Sequence, residues 1–393
     1  MNRKNFLRVF LLMVIPGFLL AGNHKSAAQA TAAGRPSYER IKIIGEAANK
    51  GVFDPAIEYN TDGAVGWMIY SALESPVDTP ANVPIPKYVH THLARTTDGG
   101  KTWTFVGRIN ESVEDTVVLK GRTISGVWWH EVPTLVHDPD DRGREWKLFW
   151  HKYFAIPKFY FDFPVLPKLN LLRIKEYMWI ACKAAASPEE LAAAEETALF
   201  GSGQFPLPPY GAVHDLDKLH PDLRKNNWYS EPGSLYKGGV LYLSLSGGAV
   251  GDVRRHRTFL LSSHDHGRTW QYTRMLTDAR DASDYGCKIL TGSSLVEEKD
   301  RVYLLISPVG HNGMYRGAYI FAFDDIGRGT LRRDDHGKLI PIKYLKRSLF
   351  GPWHAGQGDY DEHNVYGGIV IPQADVFSAP AMGQIFSTRQ RIF

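Results

Sequence analysis

Cysteine is scarce in this chain of 393 residues, which has only Cys182 and Cys287. Two cysteines exclude a disulfide-rich scaffold, and the apolar segment around each predicts a separate free thiol in the core. No apolar run reaches the ~20 residues needed to span a bilayer, so we expect no transmembrane segment in the mature chain. Phosphate-binding glycine loops, CxxC pairs and the G-x-S-x-G motif are also missing, which argues against nucleotide-binding, zinc-finger and serine-hydrolase functions.

Net charge is small once the first 30 residues are set aside. A basic segment, Arg3 to Arg8, precedes an apolar run, Val9 to Ala21, and Ala28-Gln29-Ala30 has the small-x-small pattern of a cleavage site. This pattern predicts a signal peptide over residues 1–30 and an exported protein, periplasmic or extracellular. The signal holds four basic residues and no acidic one, so the formal charge of +4 falls to 0 in the mature chain. Without a strong positive field, a nucleic-acid partner is not expected.

Strand-like runs recur along the mature chain. Segments rich in Val, Ile, Tyr, Trp and Phe, such as Gly66 to Tyr70 and Val302 to Ile306, are bounded by Gly, Asp and Pro. Each follows another strand-like segment that begins near a Pro or Gly. The pattern predicts a repeating hairpin unit and an all-β fold.

Two segments share an eight-residue pattern, S/T-x-D-x-G-x-T-W, which begins at Thr96 and at Ser263. We expect the Asp to accept hydrogen bonds from the turn backbone, the Gly to adopt positive φ and the Trp to anchor the hairpin in the core. The pattern resembles the Asp-box, or bacterial neuraminidase repeat, found between the third and fourth strands of β-propeller blades. The resemblance implies a folding device on the outer rim and not a catalytic site.

Spacing from these turns divides the chain into five units. They start near Phe53, Glu131, Glu231, Ile289 and Gly367. We therefore predict a single five-bladed β-propeller domain over residues 31–393, with Tyr38 to Ile44 as the outer strand of blade five.

One region departs from the repeat. Residues 154–172 concentrate Pro, Phe, Tyr and Leu without alternation, and the Ala/Glu-rich stretch Ser187 to Leu199 has Ser187 as a candidate N-cap before Pro188. We expect an irregular or helical insertion in blade two, at about 154–229, which packs as a lid on the propeller. A membrane-surface or substrate-gripping lobe is the alternative.

An acidic residue opens each of the first three units: Asp54, Glu131 and Glu231. Inner propeller strands begin at the central channel, so these carboxylates are expected to converge there. The arrangement resembles the five-bladed propeller glycoside hydrolases, the arabinanase, xylosidase, invertase and levansucrase group. The resemblance implies that Asp54 is the base or nucleophile, Glu131 a modulator and Glu231 the proton donor, acting on a carbohydrate, with a furanoside-type sugar favoured.

Aromatic, histidine and arginine side chains near the strand starts are candidates for binding this substrate. They are Trp129, His130, His311, Arg316 and His363. No tight metal-ligand spacing is present, so we predict no metal site and no required cofactor. Histidine together with carboxylate still permits a structural divalent ion in the central channel.

Two alternative functions remain open at this point. A sialidase-like exo-glycosidase would fit the repeated turn pattern, and its arginine triad would have to come from residues such as Arg122, Arg254 and Arg316. A non-catalytic propeller that binds glycans would also use the abundant Trp and Tyr, but it would not need three converging carboxylates. The sequence leaves the oligomeric state open.

Overall fold

The structure, a computed structural model, describes most of the chain between residues 43 and 366. The described ranges are 43–48, 52–74, 87–100, 102–160, 168–203, 205–224, 226, 228–249, 252–298, 300–311, 317–346, 359–360 and 365–366. The predicted signal peptide and the predicted fifth unit from Gly367 lie outside them. Within these ranges no helix has the length and apolar character to cross a membrane.

Blade one is a sheet of seven strands. The strands are β1 (Ile43–Ile44), β2 (Val52–Tyr59), β3 (Gly66–Glu74), β4 (Tyr88–Thr96) and β5 (Trp103–Asn110), joined by the two late strands β21 (Asp359–Tyr360) and β22 (Val365–Tyr366). Their order is β1-β5-β4-β3-β2-β22-β21, so β2 to β5 form an antiparallel meander. The short strands at the two edges come from opposite ends of the described chain.

Blade two has six strands. They are β6 (Glu114–Leu119), β7 (Arg122–His137), β8 (Trp146–Tyr160), β9 (Lys168–Ala185), β10 (Thr197–Gly201) and β11 (His214–Asp215). They are hydrogen-bonded in chain order. A 3₁₀ helix, Glu189–Ala192, and the helix α1, Leu216–Leu219, lie in the connections.

Blades three and four are simpler sheets. Blade three contains β12 (Trp228–Lys237), β13 (Val240–Ala249), β14 (Asp252–Ser263) and β15 (Gln271–Thr277). After the helix α2 (Ala279–Asp284), blade four contains β16 (Ile289–Glu298), β17 (Arg301–Val309), β18 (Gly317–Asp325), β19 (Thr330–Leu331) and β20 (Pro341–Lys346). Both β19 and β20 pair with β18.

Alternation along the strands divides the core among the blade interfaces. In β13, Leu241, Leu243 and Leu245 join the apolar cluster between blades two and three. Their neighbour Tyr242 faces the opposite way and joins the cluster between blades three and four. Successive side chains of a strand point to opposite faces, so a blade packed on both sides is apolar on both.

The described residues form four blades and not the five that the sequence predicts. One apolar cluster joins Met68 and Tyr70 of blade one to Tyr303, Leu305 and other buried residues of blade four. Blades four and one therefore share a core directly. This packing connects residues more than 200 positions apart, and no local sequence pattern reports it.

The two repeated turns fold alike, and their predicted geometry is confirmed. Asp98 accepts from the amide and hydroxyl of Thr102, at 2.9 and 2.7 Å, and the Trp103 indole donates to the Gly100 carbonyl at 3.1 Å. Gly100 has a φ of 85°. The second turn repeats each contact, with Asp265 accepting from Thr269 at 2.8 and 2.6 Å and Trp270 donating to Gly267 at 3.0 Å. Both turns connect the third and fourth strands of the main meander in their blades.

The N-terminal strand lies elsewhere than predicted. Ile43 and Ile44 pair in parallel with Trp103 and Thr104, so β1 completes the outer edge of blade one and not of a fifth blade. Ala48 continues from this strand into the cluster shared by blades one and four. An extended apolar dipeptide can add to any open sheet edge, and tertiary packing selects the edge that it meets.

The predicted insertion in blade two is largely sheet. Residues 154–160 and 168–174 extend the β8–β9 hairpin, and Pro157 pairs with Leu171. The pairing of β8 with β7 ends at Ala155, so Pro157 lies where one side of β8 has no ladder partner, a position that tolerates proline. The only helix in the Ala/Glu-rich stretch is the 3₁₀ helix, with Pro188 and not Ser187 at its N-cap, and the stretch ends in strand β10. Strands β10 and β11 then complete the blade.

Both cysteines are free thiols, as predicted. Cys287 is buried and its thiol lies 3.0 Å from the Ala282 carbonyl. Burial raises the pKa of the Cys182 thiol to about 12. The environment of Cys182 therefore disfavours the thiolate that reactive cysteines need.

Candidate active site

The first strands of the four main meanders, β2, β7, β12 and β16, share a backbone feature near the candidate acidic residues. Each has a bulge, and each bulge contains a residue in the left-handed region: Asp54 (φ 50°) in β2, Val132 (54°) in β7, Glu231 (53°) in β12 and Gly292 (63°) in β16. This conformation is uncommon for residues other than glycine and concentrates at functional sites. The repeat therefore presents two carboxylates, Asp54 and Glu231, at equivalent positions.

Glu131 does not share that position, which corrects the predicted equivalence of the three acids. It precedes the bulge residue Val132 by one, so it corresponds to Phe53 of β2 and Ser230 of β12. A one-residue offset reverses the face on which a strand side chain lies. The buried Glu131 accepts a hydrogen bond from the Tyr153 hydroxyl at 2.6 Å, on the neighbouring strand β8.

Asp54 is buried on blade one, with 4% of its surface exposed. Its Oδ2 lies 3.5 Å from the Ser71 hydroxyl, and Ser71 Oγ accepts from the amide of Val132 at 3.0 Å. Through Ser71, Asp54 is thus connected to the bulge of blade two. This contact places Asp54 next to the strand segment that carries Glu131.

Glu231 makes the corresponding contact directly. Its Oε2 accepts from the Gly292 amide at 2.7 Å and from the Thr291 hydroxyl, so the bulge of blade four fixes one carboxylate oxygen. The side chain is partly exposed, unlike those of Asp54 and Glu131. In the described part of the chain, no hydrogen bond falls on Oε1. That oxygen is the one that can exchange a proton with a ligand.

Hydroxyl groups line the contacts between the inner strands and their neighbours. Thr134 and Ser234 lie 2.7 Å apart between blades two and three, and Ser244 and Ser293 lie 2.8 Å apart between blades three and four. All four are buried. In each pair the two small hydroxyls satisfy one another, so the strands approach closely there without leaving these four groups unpaired.

His256, which was not among the predicted residues, lies beside Glu231. Its ring hydrogen-bonds the Leu290 backbone, one residue before the Thr291–Gly292 pair that holds Glu231. Burial lowers the pKa of His256 to about 4, although the charge of Glu231 and the Leu290 contact oppose the change. Its Nε2 has no hydrogen-bond partner in the described ranges. His256 sits in an Arg-Arg-His-Arg run, and that run gives no sign of the contact with Leu290.

The predicted binding residues fall in three different places. Trp129 is buried, donates from its indole to the Lys87 carbonyl at 2.9 Å and packs on Tyr153. His311 is exposed in the turn after β17. Arg316 and His363 lie outside the described residues. The described residues thus do not bring this group together around the three acids.

His130 lies in a cavity between blades one and two. Its Nδ1 accepts from the Trp150 indole at 3.0 Å, and its ring also hydrogen-bonds the Glu111 backbone. Burial, together with the charges of Lys152 and Lys183, holds the pKa of His130 well below 6.5. The imidazole is therefore neutral and fixed on both sides.

The cavity that His130 lines has a volume of about 420 Å³. Its walls combine strands of both blades with the 3₁₀ helix, and they carry the cations Arg108, Lys152 and Lys183. Asp54, Glu131 and Glu231 are not among its lining residues. The three lysine and arginine residues had no motif or spacing that distinguished them from surface cations in the sequence.

A metal site is not formed by the described side chains, since none of their His, Cys, Asp and Glu residues cluster in threes with ligand geometry. The structural ion that the sequence permitted in the channel has no ligand set among the described residues. Of the arginines considered for a sialidase-like triad, Arg254 is highly exposed and pairs with Asp252 at 2.9 Å.

No protein-family model and no curated protein matches the chain. Similar folds occur among solved glycoside hydrolases. The α-L-arabinanase of Cellvibrio cellulosa is 12% identical over 76% of this chain and 81% of its own, with a TM-score of 0.41. The xylan β-1,4-xylosidase of Bacillus halodurans is 16% identical over 75% of this chain, with a TM-score of 0.40, and this chain spans 46% of its length. The NanB sialidase of Streptococcus pneumoniae is 12% identical over 81% of this chain and 58% of its own, with a TM-score of 0.44.

Proposed function

We propose that this protein is an exported glycoside hydrolase that cleaves a furanoside-type glycosidic bond with Asp54, Glu131 and Glu231. The observation that carries the proposal is the repeated left-handed bulge, which presents Asp54 and Glu231 from equivalent positions of two inner strands. Strained backbone of this kind is retained where it positions a functional group. The two S/T-x-D-x-G-x-T-W turns, which we interpret as Asp-boxes, serve the fold.

The chemistry needs a proton donor on one side of the bond and a carboxylate on the other. Glu231 suits the donor role because its Oε2 is fixed by Gly292, which leaves Oε1 to carry the proton to the leaving oxygen. Asp54 then acts on the anomeric carbon, directly or through a water molecule. Glu131, held by Tyr153 on the adjacent strand, modulates the charge between them.

A panel of aryl glycosides tests this function. Arabinofuranosides, galactofuranosides, fructosides, xylosides and sialosides are incubated with the wild-type protein, Glu231→Gln and the control Glu190→Gln. Glu190 is an exposed residue of the 3₁₀ helix, so its variant should keep full activity. Glu231→Gln keeps an acceptor for Gly292 but cannot donate a carboxylic proton, so kcat should fall at least ~100-fold with KM little changed.

Two outcomes would contradict the proposal. If Glu231→Gln turns over substrate at the wild-type rate, Glu231 is not the proton donor. If only sialosides are cleaved, sialidase-like chemistry replaces the furanoside assignment. Binding of the sugars, followed by tryptophan fluorescence, separates a loss of chemistry from a loss of the site.

A non-catalytic glycan-binding propeller is the second candidate function. It is favoured by the contacts of Asp54 and Glu231 with neighbouring bulges, since a carboxylate that satisfies a backbone amide has a structural role of its own. This candidate predicts sugar binding without turnover of any glycoside in the panel. Glu231→Gln would then bind sugars as the wild type does.

A further inference from the structure

The residues that line the cavity between blades one and two include three cations, Arg108, Lys152 and Lys183, and two carboxylates, Glu111 and Glu196. Arg108 donates to Glu74 and Glu111, at 2.8 Å each, and Lys152 donates to Glu196 at 2.7 Å. Two of the three cations are therefore matched by carboxylates.

Lys183 is the exception. Its ammonium donates to the carbonyls of Ile109 at 3.1 Å and Ala192 at 3.4 Å, and among the described residues no carboxylate lies within ion-pair distance of it. Only 8% of the residue is exposed. Burial, with a smaller contribution from the charge of Lys152, lowers the pKa of the Lys183 ammonium, and the charge of Glu196 opposes this change.

Such an ammonium is expensive to keep in the folded protein. Carbonyl oxygens satisfy two of its three N–H donors but bring no net charge, and the charge of Glu196 acts on it only from beyond ion-pair distance. A buried ammonium that is incompletely compensated in this way is destabilising. An anion in the cavity would remove this penalty.

The size and remaining lining of the cavity define the anion further. About 420 Å³ accommodates one sugar ring, within the usual range for small-ligand sites. Asn110, Glu111 and Glu196 supply polar atoms suited to hydroxyl groups, and Trp128 supplies an aromatic wall. Lys183 is the one cation of the three without a described carboxylate at ion-pair distance, and a single ammonium fits a monoanion better than a phosphate, which carries about 1.5 to 2 negative charges at neutral pH.

We propose that the cavity between blades one and two binds a carboxylate-bearing sugar, whose carboxylate pairs with Lys183. The site is separate from the three acidic residues and does not rest on the proposed hydrolase activity. It would let the protein recognise an acidic sugar unit of a glycan at a distance from any bond that the protein cleaves.

Calorimetric titration with methyl β-D-glucuronide and methyl β-D-glucoside tests the site, because the two probes differ only in the carboxylate. The wild-type protein should bind the glucuronide and not the glucoside. Lys183→Met keeps the length of the side chain without its charge and should weaken glucuronide binding at least tenfold. Lys218→Met is the control, because Lys218 is an exposed lysine outside the cavity.

Thermal unfolding gives a second, independent readout. Removing an unpaired buried charge should leave the midpoint of unliganded Lys183→Met equal to or above that of the wild type. Lys183→Gln retains donors for the two carbonyls and replaces the Met variant if that one does not fold. Equal glucuronide binding by the Lys183 variants and the wild type, equal binding of the two glycosides, or tighter binding of inorganic phosphate would each overturn the assignment.

Discussion

At the scale of single residues, burial determines which groups around the candidate site are charged. His256 and His130 are both kept neutral by burial, although each lies close to charged side chains. A neutral imidazole beside Glu231 neither neutralises that carboxylate nor competes with it for protons. His256 therefore adds no positive charge beside the candidate proton donor at neutral pH.

His256 should make the folded protein sensitive to acid. Its pKa is about 4 in the folded protein against an ordinary 6.5, so the unfolded chain binds this proton more readily. The neutral, buried state of His256 contributes at most about 3 kcal/mol to the free energy of unfolding above pH 6.5, and this contribution is lost as the pH falls to 4. Urea unfolding at pH 7 and pH 4.5 should show a smaller pH effect in His256→Asn than in the wild type. The exposed His311→Asn should behave as the wild type, and an unchanged pH effect in His256→Asn would contradict the prediction.

At the scale of elements, the repeated turns show why part of this structure was readable from sequence. The side-chain hydrogen bonds described for the Thr96–Trp103 turn join residues within four positions, so the local pattern specifies the turn geometry. The bulges behave differently. Asp54 and Glu231 were placed correctly on inner strands by the following proline, but the one-residue offset of Glu131 depends on strand pairing that sequence spacing does not report. Lys183 and His256 were missed because their partners are backbone atoms of other segments.

The second turn also connects two blades. His266 lies 3.0 Å from Asp138 and Arg268 donates to Asp141 at 2.7 Å, and both aspartates pair with the buried Lys147. This ion cluster joins blade three to the outer turn of blade two. The corresponding position of His266 in the first turn is Gly99, which has a φ of 71° and no side chain to make such a contact.

Replacing the central aspartate of each turn should therefore have unequal effects. Asp98→Ala and Asp265→Ala both leave turn donors without an acceptor, which costs about 1 to 3 kcal/mol of unfolding free energy. Asp265→Ala should cost more, because the turn that it disrupts also holds His266 and Arg268. Chemical denaturation of the two variants measures the difference. Asp252→Ala, which removes one exposed ion pair, should change stability by less than ~0.5 kcal/mol. Equal losses in the two turn variants would show that the interblade ion cluster adds nothing.

At the scale of the whole molecule, the segment 43–48 helps to hold blades one and four together. Glu46 accepts from the amides of Ala47 and Ala48, from the Tyr70 hydroxyl and from His92 at 3.0 Å. Burial opposes its ionisation, but the contacts with His92 and Tyr70 outweigh it and lower the pKa of Glu46 to about 2. At neutral pH the Glu46 carboxylate is charged, and it forms hydrogen bonds with two buried side chains, Tyr70 and His92.

Removing this segment should weaken the whole molecule and not only its edge. A variant that begins at residue 49 leaves Tyr70 and His92 without their acceptor and deletes Ala48 from the core shared by blades one and four. Relative to a variant that begins at residue 43, we expect the free energy of unfolding to fall by at least ~3 kcal/mol and the radius of gyration to increase. Urea unfolding and small-angle X-ray scattering measure the two effects. Equal stability of the two variants would show that the segment is dispensable for ring closure.

Blade one also sets the order in which the molecule can be completed during synthesis. Its meander, β2 to β5, emerges early from the ribosome, but β21 and β22 emerge only after residue 359. The first blade to be translated is thus the last whose sheet is finished, and its inner edge stays open while the other three blades are made. During that interval the nascent chain exposes a strand edge that can pair with a neighbouring copy. Aggregation during biosynthesis should therefore increase when elongation is slow, even if the finished protein is stable.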